Sequence, residues 1–117
     1  MSHRYDLLLN QIKKASELIA VLLTGRKAHH AKEAEINQNL SELTGFDVEF
    51  FARESNAALL PNVLTLADDD NKKAVIAMLL MLKNEALYKE QCIKVLLQLD
   101  ENRLHLAVRE LVDQALR

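Results

Sequence analysis

The longest apolar run of the chain reads AVIAMLLML and spans Ala74–Leu82. A helix that is apolar on every side is normally buried on every side. The run is too short to cross a bilayer, which needs roughly 20 apolar residues. It therefore predicts a central helix that other elements surround.

Residues that break helices are rare around this run. The chain has two glycines and one proline, at Gly25, Gly45 and Pro61, so residues 62–117 contain neither. This predicts an all-α fold. It also excludes phosphate-binding loops, dinucleotide fingerprints and nucleophile elbows, because those sites need several glycines close together.

The residues on either side of the run predict how the central helix begins and continues. Asp68–Asn71 places acidic and amide side chains where they cap a helix N-terminus. Residues 71–99 form either one helix or two that break near Lys83–Asn84. We expect one stripe to contain Val75, Leu79, Leu82, Ala86, Ile93 and Leu97. Beyond it, Asp100 is a candidate cap before a last helix with the stripe Leu104, Val108, Leu111 and Ala115.

The N-terminal part predicts a helical hairpin. Apolar residues at spacings of three and four predict helices over about Arg4–Thr24 and Lys27–Thr44. Leu-Thr-Gly ends both, and each glycine is expected to be left-handed. Phe46 follows Gly45 and is expected to pack on Leu40 in a Schellman cap.

Residues 46–70 are the least regular part of the chain. They carry one basic and six acidic residues and contain Pro61. We expect two or three short helices here. The whole chain, 1–117, then forms a single helical domain with a hairpin (1–45), an acidic connector (46–70) and long C-terminal helices (71–117), arranged as an antiparallel helical array or bundle.

Composition limits the function further. The net charge is −2 and Cys92 is the only cysteine, which excludes a disulfide framework and a thiolate metal site. The first six residues lack the apolar core of a signal peptide, so we expect a cytoplasmic protein.

Several N-terminal motifs occur in one order: Tyr5-Asp6-Leu7-Leu8, Gln11-Ile12, Gly25-Arg26-Lys27 and Leu43-Thr44-Gly45-Phe46-Asp47. In this the chain resembles a small uncharacterised bacterial family, a domain of unknown function. The resemblance implies a C-terminal pair of helices like a tetratricopeptide repeat, and no activity. Ala28-His29-His30 departs from the Gly-x-Tyr often found there, and the Trp and Leu-Gly of a true repeat are missing.

The best candidate for a metal site is His29 with His30 and Glu33. His29 and Glu33 are four residues apart and share a helical face. No third ligand is evident, so an exposed polar face is the simpler interpretation. Asp68–Asn71 lacks the spacing of a calcium loop, and we interpret it as a cap.

Three further features have a structural interpretation that is simpler than a functional one. Cys92 lies among leucines and is expected to be a buried, inert thiol. Met78 and Met81 are expected to be core residues and not an adaptable groove. Arg26, Lys27, His29, His30 and Lys32 form a weakly basic patch that acidic neighbours dilute, so nucleic-acid binding is an alternative and not the main prediction.

The sequence therefore predicts a non-catalytic protein with no cofactor, a module for protein–protein interaction or self-assembly, with a homodimer as the expected form. One motivation is that a second copy would cover part of the Ala74–Leu82 surface. The alternatives are a DNA-binding regulator that uses Arg26 and Lys27, and a metal-binding protein that uses His29 and Glu33.

Overall fold

The computed structural model of the chain describes residues 2–25, 33–47, 49–50 and 69–117. These residues form helices and the segments that connect them, with no strand among them, so the all-α prediction is confirmed. The longer helices in these ranges are α1 (Ser2–Leu23), α2 (Glu33–Thr44), α3 (Asp70–Lys83), α4 (Glu85–Gln98) and α5 (Leu106–Leu116), with a 3₁₀ turn at Glu101–Arg103.

Helix α3 lies at the centre. It contacts α1, α2, α4 and α5. Every residue from Ala74 to Leu80 is buried, and Met81 and Leu82 are half-buried against the same core. The prediction of a surrounded helix is confirmed. Because helices of the same chain cover this run, it no longer supports coverage by a second copy.

The start of α3 is capped as predicted. Asp69 precedes the helix, and its Oδ1 accepts hydrogen bonds from the backbone N–H groups of Asn71 (2.8 Å) and Lys72 (3.2 Å). Asp70 adds a negative charge in the first turn, which the positive end of the helix dipole favours.

Residues 70–98 form two helices, α3 and α4, which are separated at Asn84. This residue has extended backbone angles (φ −151°, ψ 90°), its N–H donates to the Leu80 carbonyl, and its Oδ1 accepts from the Leu87 N–H at 3.2 Å. One side chain thus ends α3 and caps α4. Of the two possibilities that the sequence left open, the break near Asn84 is the observed one.

The break changes which face of α4 is buried. The buried residues of α4 are Tyr88, Cys92 and Leu96, whereas Ala86 and Leu97 are exposed. The single stripe from Val75 to Leu97 is therefore wrong beyond Leu82, because the extended residue at 84 resets the helical register.

Both glycines after Leu-Thr are left-handed as predicted, with φ +70° at Gly25 and +78° at Gly45. The expected Schellman cap at Gly45 is wrong. The Gly45 N–H donates to the Ser41 carbonyl (2.8 Å), which is the simpler αL motif. The Phe46 N–H instead donates to Thr44 Oγ1 at 3.2 Å.

The first residues after α2 begin the predicted irregular segment. The rings of Phe46 and Phe50 stack with centroids 4.5 Å apart, and the Phe50 N–H donates to the Asp47 carbonyl at 3.0 Å. Both rings pack on the core. The remaining short helices predicted in 46–70, including Pro61, lie outside the described residues, as does the predicted start of the second helix at Lys27.

The last helix begins later than predicted. Asp100 caps the 3₁₀ turn by accepting from the Asn102 N–H at 3.0 Å, and His105 is the N-cap of α5. Leu104 precedes the helix, although its side chain still reaches the core. Because Asp100 caps the 3₁₀ turn and not the helix, α5 begins about one turn later than predicted.

A buried asparagine ties this connection to the central helix. Asn71 is 3% exposed. Its Oδ1 accepts from the His105 N–H at 2.7 Å, and its Nδ2 donates to the Arg103 carbonyl at 3.4 Å. This contact joins residues more than 30 positions apart, and no sequence pattern predicted it.

We predict that Asn71→Ala lowers the free energy of unfolding by about 1–3 kcal/mol, because it leaves two backbone groups without a partner. Urea denaturation measures the change. Asn102→Ala, at an exposed position of the same connection, is the control and should change stability by no more than about 0.5 kcal/mol. Equal losses in both variants would contradict this role for Asn71.

Candidate binding groove between α1 and α5

A groove of about 670 Å³ runs between α1 and α5. We call it the α1/α5 groove. Its apolar wall is formed by Leu9, Ile12, Ala20, Val108 and Leu111. Both helices pack on α3 and contact each other, and the groove lies along that contact.

The rim of the groove carries charges of both signs. Lys13 and Glu17 lie on α1, and Glu110 lies on α5; all three are exposed. Excluding histidine, these charges add up to −1. The rim therefore does not attract polyanions. A group with one negative charge can still bind beside a positive group such as Lys13.

Ser16 is an unusual member of the lining. The residue is 9% exposed, and its buried hydroxyl has no hydrogen-bond partner. A buried hydroxyl without a partner costs free energy, so such groups are rare in proteins. Nothing in the spacing of the sequence distinguished Ser16 from an ordinary helix residue.

The N-terminus of α5 reaches the groove without a side-chain cap. His105 is the N-cap residue and its side chain makes no capping bond, and no acidic residue lies in the first turn. The first N–H bonded within the helix is that of Arg109, to the His105 carbonyl at 2.9 Å. Ala107 and Val108, whose N–H groups precede it, both line the groove. The missing cap has a signal in the sequence: Leu104 and His105 stand where a capped helix would have Ser, Thr, Asp or Asn.

The expected properties of Cys92 are confirmed. Its side chain is fully buried, and burial raises the pKa of the thiol to about 12 despite a hydrogen bond to the backbone of Met81. Burial also raises the pKa of neighbouring Tyr88. A thiol in this state is not a nucleophile near neutral pH. Met78 is buried and Met81 half-buried, as expected of core residues.

The candidate metal and nucleic-acid residues fall mostly outside the described part of the chain. This applies to His29 and His30 as well as to Arg26, Lys27 and Lys32. Glu33 is described: it is exposed, and its Oε1 lies 3.8 Å from Lys83 Nζ. Lys83 also donates to Asn37 Oδ1 at 2.5 Å. Within residues 2–25, 33–47, 49–50 and 69–117, no three His, Cys, Asp or Glu side chains are grouped to hold a metal ion.

Comparison with known proteins gives no match to a family model, a curated protein or a solved structure. The resemblance to an uncharacterised helical family, and the tetratricopeptide-like detail, therefore stay predictions. None of the helices in the described ranges has the length and apolar character needed to cross a membrane.

We predict that Cys92 does not react with a thiol reagent such as Ellman's reagent at pH 8 in the folded protein, and reacts fully in denaturant. The high pKa keeps the thiol protonated in the folded state, and burial blocks access. Rapid labelling without denaturant would contradict the burial.

The raised pKa of Cys92 also predicts a pH dependence of stability. The unfolded thiol ionises above its ordinary value of 9.0, whereas the folded one stays protonated to about 12. The contribution to stability is thus complete below pH 9 and is lost as the pH rises from 9 towards 12. The Cys92→Ala variant is expected to be less stable than the unchanged protein at pH 7. Its free energy of unfolding should, however, decrease less between pH 8 and pH 10 than that of the unchanged protein.

Proposed function

We propose that this chain is a non-catalytic cytoplasmic module for protein–protein interaction or self-assembly, and that it uses the outward face of α4. The observation that carries the proposal is that α4 has a second apolar row beside its buried face. Tyr88, Cys92 and Leu96 are buried inward. Ala86, Ile93 and Leu97 form the second row, at spacings of seven and four and roughly 120° around the helix from the buried residues.

The outward row, Ala86, Ile93 and Leu97, is only partly covered. Leu97 is 67% exposed, more than the other large hydrophobic side chains in the described ranges. Ile93 is half-buried and Ala86 is exposed. Burying an exposed leucine side chain completely stabilises a complex by about 1.5–3 kcal/mol. A partner that packs on this row would therefore gain binding free energy from Leu97.

A shallow depression lies on the same face. It has a volume of about 740 Å³, and its lining includes Ala86, Lys89, Glu90 and Ile93 among the described residues. Alternating charges flank it: Lys89 pairs with Glu85 at 3.1 Å, and Lys94 pairs with Glu90 at 3.7 Å. An apolar row between charged flanks is typical of helix–helix contacts.

The pattern of the outward row suits a second copy of the chain. A two-fold axis at the middle of α4 would place Ala86 opposite Leu97 of the second copy, a small residue against a large one. It would also place Glu90 beside Lys94 of the second copy. Such self-complementarity is what an isologous dimer contact requires.

The size of α4 limits the strength of this contact. The helix has 14 residues and is roughly 21 Å long, so one face buries only a few hundred Å² on each partner. Stable interfaces bury about 800 Å² per partner. We therefore expect weak association, at tens to hundreds of micromolar, unless another surface adds to it.

We predict that sedimentation equilibrium detects a dimer at these concentrations and that Leu97→Glu abolishes it, because the carboxylate would be buried without a partner. Leu7→Glu is the control, since Leu7 is 58% exposed on α1 and not on α4. A strict monomer at every concentration would rule out self-assembly. Equal effects of the two substitutions would rule out α4 as the contact.

A charge exchange tests the arrangement itself. Glu90→Lys should weaken the dimer, because it places two lysines together. Adding Lys94→Glu restores opposite charges across the axis and should restore association. If the double variant stays as weak as the single one, the antiparallel arrangement is wrong.

A further inference from the structure

The outer face of α5 carries a row of apolar and charged side chains, which we call the α5 row. Its members follow one another at spacings of three, four and three and lie within about 80° of one another around the helix. They are Leu106, Arg109, Asp113 and Leu116. Leu106 is 62% exposed and Leu116 is 36% exposed, and the residues that α5 buries lie on another side of the helix. The row is therefore open to a partner.

The two charges of the row are not paired within one copy. Arg109 precedes Asp113 by four residues, but in the described ranges neither side chain forms a salt bridge, with the other or with any further residue. On α4, by contrast, Glu85 and Lys89 pair at the same spacing, at 3.1 Å. The order of the charges differs, since an acidic residue four positions before a basic one is the more favourable arrangement.

The same two charges oppose the dipole of α5. Arg109 closes the first turn of the helix, and Asp113 opens the last turn. The N-terminal end of a helix dipole favours acidic side chains and the C-terminal end favours basic ones. Helix α3 has the favourable order, with Asp70 in its first turn and Lys83 in its last. An antiparallel neighbour with the same charges would place an acidic group beside Arg109 and a basic group beside Asp113.

The α5 row complements itself when two copies of α5 lie antiparallel. Leu106 and Leu116 are equally far along the helix from Leu111, and so are Arg109 and Asp113. One two-fold axis at the level of Leu111 therefore brings Leu106 towards Leu116 of the second copy and Arg109 towards Asp113 of the second copy. Each pair occurs twice, as an isologous contact requires.

We propose that a second copy of the chain docks antiparallel on the α5 row. Leu106 and Leu116 form the apolar ends of the contact, and Arg109 and Asp113 form two salt bridges across its middle. With 11 residues, α5 is roughly 16 Å long and shorter than α4. The α5 contact alone is therefore weaker than the α4 contact, so Leu97→Glu still removes the dimer at the concentrations where α4 forms it.

The α5 contact adds the surface that the α4 contact lacks. One face of α4 buries less than the roughly 800 Å² per partner of a stable interface. Copies joined alternately through α4 and α5 form an assembly larger than a dimer. This larger assembly rests on the proposed function, because it joins dimers that form through α4. The α5 row itself is a separate surface and is tested without α4.

Disulfide trapping in the Leu97→Glu background, which lacks the α4 contact, tests the α5 contact alone. Proteins with Leu106→Cys and with Leu116→Cys are mixed in equal amounts and oxidised with glutathione disulfide; the buried Cys92 does not take part. Peptide mass spectrometry should find the disulfide between positions 106 and 116 several-fold more often than random pairing gives. Leu7→Cys, at a position that is 58% exposed on α1, replaces Leu116→Cys as the control and should pair at random. Random pairing of positions 106 and 116 would overturn the proposal.

A charge exchange in the same background tests the antiparallel arrangement. Arg109→Asp gathers carboxylates at the middle of the contact and should abolish the excess of the disulfide between positions 106 and 116. Adding Asp113→Arg restores opposite charges across the axis and should restore the excess. The melting temperature should not fall in either variant, because both bring the charges closer to the order that the helix dipole favours. An excess that the single substitution leaves unchanged, or that the double variant fails to recover, would contradict the arrangement.

Sedimentation velocity of the chain without the Leu97→Glu substitution tests the larger assembly. At about 1 mM, above the dissociation constant expected for the α4 contact, species larger than a dimer should appear. Leu106→Glu should limit assembly to the dimer, whereas Leu7→Glu should not. A protein that stops at the dimer, or a Leu106→Glu variant that still assembles further, would overturn the joining of dimers through α5. If no α4 dimer forms, the proposed function fails, and disulfide trapping still decides whether α5 makes a contact.

Discussion

The burial of α3 on all sides is the constraint on which the rest of the structure depends. A helix with apolar residues around its whole circumference is stable only when other helices cover every face. Four helices, α1, α2, α4 and α5, do this here. Their positions follow from the need to cover Ala74–Leu80, and the apolar faces of α1 and α2 are used for it. The sparse aromatic content is no obstacle, because aliphatic side chains fill this core.

Polar groups at the two ends of α3 set the order of the surrounding helices. At the start, Asn71 accepts the His105 N–H and so determines where α5 begins. At the end, Asn84 separates α3 from α4, and Lys83 contacts α2 through Asn37 and Glu33. These contacts are directional, whereas apolar packing alone would tolerate small shifts of the helices.

The features with functional potential are the places where apolar side chains stay exposed or polar groups lack a partner. The row Ala86, Ile93 and Leu97 on α4 is only partly covered, because the break at Asn84 turns Ala86 and Leu97 away from the core. At the α1/α5 groove, Ser16 has a buried hydroxyl without a partner, and the helix end after His105 is uncapped. Unsatisfied groups of this kind cost stability, so they are reasonable places to look for binding.

The sequence by itself determined the helical class, the central place of Ala74–Leu82, a helix cap within Asp68–Asn71 and the inert state of Cys92. These follow from local properties: the absence of Gly and Pro after Pro61, the apolar run and short-range hydrogen bonds. Tertiary structure alone decided the buried face of α4, the late start of α5 and the groove between α1 and α5. The reason is that a single extended residue at Asn84, and one long-range contact from Asn71, redirect whole helices, and neither effect leaves a periodic pattern in the sequence.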